Sequence, residues 1–465
     1  MNIKFLLSPL AAALLLAGCA SVATPEPHAL PAVPAAFQTT QATGLNASAQ
    51  AQWWKSFADP LLDELTERAL AHNTSIQQAG ANLAQARALL GRAQADRLPQ
   101  LGASAGAARQ GGDAARAAGT FGNSYTAGLN LSYELDLIGR IGRTRDAAEL
   151  DAQAREALLQ STRLLVQADV AQSYFALRAL DAERLLMRET VAAYEETLKL
   201  TEKRRAGGDI AELDVERVRT ELASTRSQAI ALDRRRAELE HALSVLVGEL
   251  PGGLNVADAQ TQATQVWGQV LPLVPAGVPS SVLERRPDVA AAQAGLKAAQ
   301  IRLGVAQTAW FPSLALTGSA GGSSPQLSEL FKQSAGLWGI NGLLNLPLFD
   351  GGRREAGVHS AAAQMDAAAA SYREQLLLAF QDVEDQLSAL QLLDAQARVQ
   401  GQAVASAARA SQLSDARYRH GLVSQLELLD ARRSELALRR QALQVRAAQY
   451  QATVGLIKAL GGGWG

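Results

Sequence analysis

Most of the chain follows a helical pattern of apolar and polar positions. Between residues 166 and 198, mostly apolar side chains recur at alternating steps of four and three residues, with two polar interruptions. This spacing predicts a left-handed coiled-coil seam on one very long helix. After a turn at Gly208 the same spacing returns between residues 215 and 246. Two helices joined by a short turn predict a coiled-coil hairpin over residues 140–247, with its tip at Gly208.

A different pattern lies directly before this hairpin. Residues 124–137 alternate apolar side chains with small or polar ones. Strict alternation predicts a β-strand, and an apolar face opposite a small polar face is typical of a transmembrane β-barrel strand. We expect a partner strand at residues 101–108, across a glycine-rich loop. Pro99 ends the alanine-rich helix that precedes both strands.

The whole unit recurs later in the chain. Gly139, after the strand, matches Gly352, which lies 213 positions further on (352 − 139). The same offset relates many residues of 75–248 to residues of 288–461 without a gap. One offset kept over so long a stretch indicates a duplicated structural unit. The second copy therefore predicts strands at residues 313–321 and 336–348 and a hairpin at residues 353–460.

These patterns give the chain a predicted domain order. The two copies are preceded by an export signal, a tether rich in Ala, Pro and Thr, and a short helix, and a segment rich in Gly, Pro, Gln and Val joins them. The predicted parts are the signal peptide 1–18, the lipidated tether 19–50, the N-terminal helix 51–74, repeat 1 at 75–250, the linker 251–287 and repeat 2 at 288–461.

The N-terminus carries the signs of export. Lys4 precedes an apolar run at residues 5–16 that is too short to span a membrane. The following motif, Leu-Ala-Gly-Cys at residues 16–19, resembles the lipobox of bacterial lipoproteins, and Ala20 after it favours the outer membrane. Cys19 is the only cysteine, so an internal disulfide is excluded. We expect Cys19 to carry the lipid anchor; a plain cleavage site beside an unrelated cysteine is the alternative.

Charge and composition exclude several functions. The 44 Lys and Arg residues nearly balance the 45 Asp and Glu residues, so no bulk field attracts nucleic acid. No metal-ligand spacing or catalytic constellation is present. The sequence therefore predicts that the protein is not an enzyme and has no cofactor and no metal site. The histidines are scattered: His28, His72, His241, His359 and His420.

Four strands in one chain cannot close a barrel in a membrane. An open sheet edge in lipid leaves backbone groups unpaired, at a cost of several kcal/mol each. Two chains would supply eight strands, but an eight-stranded barrel fills with side chains and has no aqueous pore. Because the inward face is small and polar, we expect three chains, a twelve-stranded barrel and a wet lumen. The helical hairpins would form a second tube below it.

The junctions between these elements resemble a known family. The motifs are similar to those of the outer-membrane factor family of tripartite efflux and secretion systems, the TolC/OprM/NodT-like channels. The residues that carry the resemblance are Trp53-Trp54, Asp59-Pro60-Leu61, Glu284-Arg285-Arg286-Pro287-Asp288, Phe311-Pro312-Ser313-Leu314, the segment 346–353, Tyr418-Arg419 with Gly421, and Leu428-Leu429-Asp430-Ala431. The resemblance covers nearly all of the mature chain.

The resemblance implies an architecture and a location. It implies a homotrimer with one 12-stranded membrane β-barrel, a periplasmic α-helical coiled-coil barrel, and an equatorial domain that includes residues 51–74 and 251–287. It also implies a lipid-anchored protein of the Gram-negative outer membrane that docks to a periplasmic adaptor (membrane fusion) protein and an inner-membrane pump.

The implied function is a passive, gated exit duct in a tripartite (RND-type) efflux system for small molecules such as drugs or metal ions. The outer-membrane duct of a type I protein secretion system is the alternative. A periplasmic adaptor or coiled-coil scaffold is a third possibility. The two copies of a paired strand set argue against it, because adaptors lack them.

The resemblance also places a gate at the second hairpin tip, which Gly421 marks. In the family, a leucine and acidic residues after this turn close the tube, and the matching positions are Leu426, Glu427 and Asp430, with Tyr418 on the preceding helix. Glu427 and Asp430 fall on one helix face and would form acidic rings in a trimer. The alternative is that the acids only stabilise the first turn of a helix through its dipole.

Overall fold

The structure, a computed structural model, describes residues 37, 52–256, 271–272, 274 and 285–462. The predicted signal peptide, Cys19, nearly all of the tether and most of the linker 251–287 lie outside the described residues. The chain divides into two compact units. The sheet unit includes Ala81–Glu156 and Ala291–Glu374, and the hairpin unit includes Ala157–Ala290 and Gln375–Gly465 as far as these are described.

The sheet unit contains a four-stranded antiparallel sheet with strand order β1-β2-β3-β4. The strands are β1 Gln100–Gln110, β2 Gly122–Leu135, β3 Ser313–Ser324 and β4 Gly336–Asn345. The two copies therefore each contribute one strand pair, and β2 joins β3 between them. The pairing of β2 with β3 requires a glycine at position 321, because a Cβ there would lie 2.3 Å from the carbonyl oxygen of Ala127.

Two strands end earlier than the sequence predicts, each for a local reason. β2 ends at Leu135 because the carboxylate of Asp136 turns to accept hydrogen bonds from the amides of Ile141 (3.0 Å) and Gly142 (2.7 Å). Those bonds satisfy free N–H groups at the start of the following helix. β4 ends at Asn345, shortly before Pro347, which has no N–H for a sheet ladder. Side-chain alternation alone carries no sign of either event.

The hairpin helices of the two copies have equal lengths. In chain order the helices are α1 Pro60–His72, α2 Thr74–Ala95, α3 Asp113–Ala117, α4 Arg140–Ala206, α5 Glu212–Leu246, α6 Pro287–Gln307, α7 Arg353–Arg419 and α8 Gln425–Ala459. The long helices α4 and α7 each have 67 residues, or roughly 100 Å at 1.5 Å per residue, and α5 and α8 each have 35.

The hairpin unit is held together by the coiled-coil seam. Tyr194 of α4 packs with Val218 and Leu222 of α5, and Met187 packs with Leu232 one layer further on. These side chains are almost fully buried. Burial of each large apolar side chain stabilises the folded state by about 1.5–3 kcal/mol. The seam therefore accounts for the pairing of the two helices.

Arg184, one of the polar interruptions of the seam, belongs to a buried ion cluster. Asp181 of α4 is 3% exposed and lies within 3.4 Å of Arg178, Arg184 and Arg236. Arg236 also donates to the carbonyl of Val256, at 2.6 Å. This bond ties the start of the linker to α5.

An aromatic cluster anchors the N-terminal part. Trp53 and Phe57, on one 3₁₀ turn, pack edge to face, and Phe57 contacts Phe175 and Tyr450. Asp59 then caps α1 by accepting from the amides of Leu61 and Leu62. The hydroxyl of Tyr174 donates to the same carboxylate (2.5 Å), and burial raises the pKa of Tyr174.

Candidate functional site

The two hairpin tips have the same backbone. At the second tip, the amide of Gly421 donates to the carbonyl of Tyr418 (3.0 Å), and the amide of Leu422 donates to that of Arg417 (2.9 Å). At the first tip, the corresponding bonds of Gly208 and Asp209 both measure 2.9 Å. Both glycines have a left-handed φ, +83° for Gly208 and +72° for Gly421. Such a glycine ends a helix with little strain, so the two tips start from one geometry.

The predicted gate residues lie in the first turns of α8. Leu426 is 44% exposed, although it is a large apolar side chain. The side chains of Glu427 and Asp430 are 50% and 61% exposed. Leu428 and Leu429 between them are buried. The structure therefore brings Leu426, Glu427 and Asp430 to the accessible side of one helix end.

Both acidic residues have arginine partners. Glu427 lies 3.6 Å from Arg417, and Asp430 lies 3.5 Å from Arg433. Arg433 also hydrogen-bonds to Glu221 of α5, which raises the pKa of Arg433. Ion pairs this exposed contribute at most about 1 kcal/mol, so they leave the acids free to exchange partners.

Glu427 also belongs to a helix cap. Ser424 is the N-cap of α8, and its hydroxyl accepts a hydrogen bond from the amide of Glu427 at 3.3 Å. A serine followed three residues later by glutamate is the capping-box pattern. The helix-dipole explanation for Glu427 thus has a structural basis, and it is compatible with a role at the accessible surface.

Tyr418 is placed differently from the other three residues. It is 3% exposed, and its ring stacks against the guanidinium of Arg204 at 4.6 Å. Arg204, near the end of α4, also donates to the carbonyls of Tyr418 (3.2 Å) and Arg419 (3.1 Å). Arg204 therefore links the two hairpin tips. The sequence analysis did not single out Arg204. The one available signal was the duplication, because the residue 213 positions later is Arg417, the partner of Glu427.

A second link between the hairpins lies below the tips. Arg432 of α8 pairs with Asp415 of α7 at 2.6 Å and donates to the carbonyl of Ala193 of α4 at 3.3 Å. The corresponding pair in the first hairpin is Arg219 with Glu202, at 3.0 Å. The duplication thus preserves an ion pair within each hairpin, but only the second copy extends it to a neighbouring hairpin among the residues described.

Metal and membrane-helix sites receive no support. Among the described residues, no group of three or more His, Cys, Asp and Glu side chains could hold a metal ion. Every described helix also lacks the apolar length needed to cross a bilayer.

The comparison with known protein families identifies the family of this chain. The family model described as outer membrane efflux protein matches residues 65–249 and again residues 278–462. The chain belongs to the outer membrane efflux protein family. The two matches start 213 positions apart (278 − 65), which confirms the duplication inferred from the sequence.

Individual members of this family match over nearly the whole chain. The pyoverdine export outer membrane protein OpmQ of Pseudomonas aeruginosa is 36% identical, over 98% of this chain and 97% of its own. The cation efflux system protein CusC of Escherichia coli K12 is 32% identical, over 98% and 99%. The solved outer-membrane channel OprN superposes with a TM-score of 0.83 at 30% identity and covers 95% of this chain and 99% of its own.

Membership confirms the predicted fold class and role. The chain has the duplicated strand-and-hairpin fold of the trimeric outer-membrane channels, in which strands form a membrane β-barrel and coiled coils form an α-helical barrel. It is the outer-membrane channel component of an efflux system. Its relatives are transport proteins and not enzymes.

Proposed function

We propose that the chain forms a passive exit duct for small molecules or metal ions, anchored by lipid at Cys19. The duct docks to a periplasmic adaptor and receives its cargo from an inner-membrane pump. The names of the relatives, which refer to pyoverdine export and cation efflux, support small cargo over the secreted proteins of a type I system. Because the pump selects the cargo, the duct itself needs only a wet lumen and a gate.

The sheet edges support assembly of three chains. β1 and β4 are the end strands of the described sheet, so each presents one unpaired edge. In lipid these edges must pair, and pairing β4 with β1 of the next copy closes a ring. On β4, Trp338 is 81% exposed and Ile340 is 77% exposed, as expected of side chains that contact lipid.

The gate is proposed at the second hairpin tip. Leu426 supplies an apolar constriction, Glu427 and Asp430 supply acidic rings, and Tyr418 holds the tip through Arg204. The observation that carries this proposal is the exposure of Leu426 at 44%, beside two exposed acids on the same helix end. An apolar side chain left in water is a cost unless an assembly covers it, and copies around a three-fold axis would cover one another.

The ion pairs modify the proposed gate. Arg417 and Arg433 partly neutralise the acids, so the rings repel one another less than bare carboxylates would. Closing therefore costs little electrostatic energy, and Leu426 contributes most of the closed contact. Cations that pass would compete with these arginines for the carboxylates.

Single-channel conductance in planar bilayers tests the gate. The variant is Leu426→Ala/Asp430→Ala in the full chain. We expect a small conductance in the wild type and a rise of several-fold in the variant, because the apolar plug and one acidic ring are removed. The duplication supplies the matched control, Leu213→Ala/Arg217→Ala, which changes the corresponding positions of the first tip and should leave the conductance unchanged.

The possible results separate the parts of the proposal. Equal conductance in the wild type and the gate variant keeps the channel but moves the gate elsewhere. An equal rise in the control variant would mean that both tips close the duct. No conductance from inserted trimers of any variant would contradict the duct.

A further inference from the structure

The strand pairings inside the two copies follow the duplication residue by residue. In the first copy, Gln100 of β1 lies opposite Ser132 of β2. In the second copy, Ser313 of β3 lies opposite Asn345 of β4, and both residues lie 213 positions after their counterparts. Every other pair of the described β3–β4 ladder has the same relation to a pair of the β1–β2 ladder. The sheet therefore obeys the internal symmetry of the chain at the level of single residues.

The ladder between the two copies has no counterpart within one chain. β2, the second strand of repeat 1, pairs with β3, the first strand of repeat 2. By the same symmetry, β4 is the second strand of repeat 2, and its partner is the first strand of repeat 1, which is β1. Within the described sheet, β1 and β4 are the two end strands and do not pair with each other. The equivalent ladder can form between β4 of one copy and β1 of the next.

Both end strands have the exposure that such pairing requires. All 11 residues of β1 are exposed, and so are nine of the ten residues of β4. In β2, which has a neighbouring strand on each side, seven of the 14 residues are partly buried. A strand in the position of β2 thus loses exposed surface to its neighbours, and β1 and β4 each lack one such neighbour.

We propose that β4 of one copy pairs with β1 of the next copy in the register that β2 and β3 have within one chain. In the inner ladder, Ser132 lies opposite Thr317. Moving the first residue forward and the second residue back by 213 positions places Asn345 opposite Ser104 of the next copy. This inference rests on the proposed pairing of these two edges and specifies its register. The further pairs are Leu344 with Ala105, Leu343 with Gly106, Gly342 with Ala107, Asn341 with Ala108, Ile340 with Arg109, and Gly339 with Gln110.

The proposed register keeps the two faces of the sheet separate. Residues directly opposite each other in antiparallel strands share a face. In the described sheet, one such row consists of Leu101, Leu131, Gly318 and Ile340. Leu344 and Ala105 lie on the same face as this row, which the proposed barrel turns toward lipid. A slip by one residue would place the polar Ser104 opposite Leu344 and exchange the faces, so only slips by an even number of residues compete with this register.

Disulfide cross-linking tests the register. The edge pair, Ser104→Cys/Asn345→Cys, places one cysteine on each end strand, on the face opposite the lipid-facing row. Directly opposite residues of antiparallel strands have Cα atoms about 4.5–5.5 Å apart, which a disulfide can bridge. The full-length trimer is oxidised with copper phenanthroline and separated on a denaturing gel without reductant. We expect covalent dimers and trimers, which dithiothreitol converts back to single chains.

The duplication supplies the positive control. The inner pair, Ser132→Cys/Thr317→Cys, occupies the equivalent positions within one chain. It should cross-link as completely as the edge pair but should join no two chains. Ser104→Cys alone and Asn345→Cys alone should give no covalent dimers, which shows that the native Cys19 takes no part.

Two slipped pairs are the negative controls. Ser104→Cys/Leu343→Cys and Gly106→Cys/Asn345→Cys shift the register by two residues in opposite directions. In the proposed register their Cα atoms lie about 7–8 Å apart, beyond the usual range of a disulfide, so we expect about tenfold less covalent product than from the edge pair.

The results separate the register from the pairing of the edges. As much or more covalent product from a slipped pair as from the edge pair would overturn the register and leave the edge pairing in place. No product from any of the three intermolecular pairs, with the inner pair cross-linked, would contradict the edge pairing itself. If the edge variant fails to assemble into trimers, Ala105→Cys/Leu344→Cys repeats the test at the neighbouring position, and its failure to cross-link in assembled trimers would equally overturn the inference.

Discussion

At the residue scale, the two copies place different side chains on the same backbone positions. At the start of repeat 1, the buried amide of Asn73 donates to the carbonyl of Leu246 at 2.8 Å. At the corresponding place in repeat 2, Arg286 donates to the carbonyl of Ala459 at 3.1 Å. A neutral amide and a charged guanidinium thus satisfy the same helix end. The charge requires compensation, which Asp288 and Asp382 supply at 2.7 and 2.9 Å.

The Arg286–Asp288 pair gives a pH-dependent prediction. Burial alone raises the pKa of Asp288, but the hydrogen bonds and charge of Arg286 outweigh it, and the pKa lies below its usual value. A carboxyl whose pKa is lower in the folded than in the unfolded state stabilises the folded state. That contribution is complete above the unfolded pKa of about 3.9 and is lost as the pH falls from there through the lower folded pKa. We expect Asp288→Asn to destabilise the protein by about 2 kcal/mol at pH 7, and this difference to shrink below about pH 4.

Thermal unfolding of wild type and Asp288→Asn at several pH values measures this difference. The control is Glu238→Gln, which breaks the exposed Arg234–Glu238 pair and should change the unfolding temperature little at any pH. A difference for Asp288→Asn that persists unchanged at pH 3 would contradict the role of the ionised carboxylate.

At the element scale, the ends of the short hairpin helices are packed against the start of each repeat. Gly248 follows α5 with a φ of +79°, and a Cβ there would meet the carbonyl oxygen of His72 at 2.5 Å. Gly461 follows α8 with a φ of +92°, and its Cβ would meet the carbonyl oxygen of Arg285 at 2.9 Å. Glycine is required at both positions for two reasons: the backbone is left-handed, and there is no room for a Cβ.

This packing predicts unequal effects of one substitution at two glycines. Gly208 at the first tip has a similar φ, but nothing lies within 4 Å of its Cβ position. Gly208→Ala should therefore cost only the left-handed strain of about 1–2 kcal/mol. Gly248→Ala should cost clearly more, since the backbone of α1 must also move. Unfolding temperatures of the two purified variants measure this, and equal losses would mean that the contact with His72 relaxes freely.

At the scale of the whole molecule, some exposed apolar surface makes sense only in an assembly. On α7, Leu392 and Val399 are 66% and 67% exposed, and Leu413 is 48% exposed. Their positions differ by multiples of seven, so they form one stripe along the helix. Because no described part of the chain covers this stripe, we expect a neighbouring copy to pack on it.

We expect Leu392→Ser/Val399→Ser to weaken the trimer without unfolding the chain. Loss of two buried apolar contacts in each of three interfaces should shift the protein toward monomers, which light scattering after size-exclusion chromatography detects. Gln396→Ser/Gln402→Ser on the same helix is the control, because both glutamines are exposed and polar. Full trimers in the stripe variant, at the lowest measurable concentration, would place the interface elsewhere.

The sequence by itself determined the architecture, because the patterns that specify helices, strands and the duplication repeat along the chain. The heptad seam around Met187 and Tyr194, the alternation of β2 and the 213-residue offset each recur many times, so single deviations do not hide them. The positions of Leu426, Glu427 and Asp430 followed from the motif around Gly421. Their role as a gate stays a prediction.

Only the tertiary structure decided which side chains meet. Nothing in the spacing links Arg204 to Tyr418, because they lie in different hairpins and meet only when the hairpins pack. The same holds for Arg286, which bonds to a carbonyl 173 residues away. Burial of the Tyr418 hydroxyl without a hydrogen-bond partner among the described residues is likewise a property of packing. Periodic patterns specify elements, whereas single long-range contacts between polar side chains depend on geometry that no local pattern records.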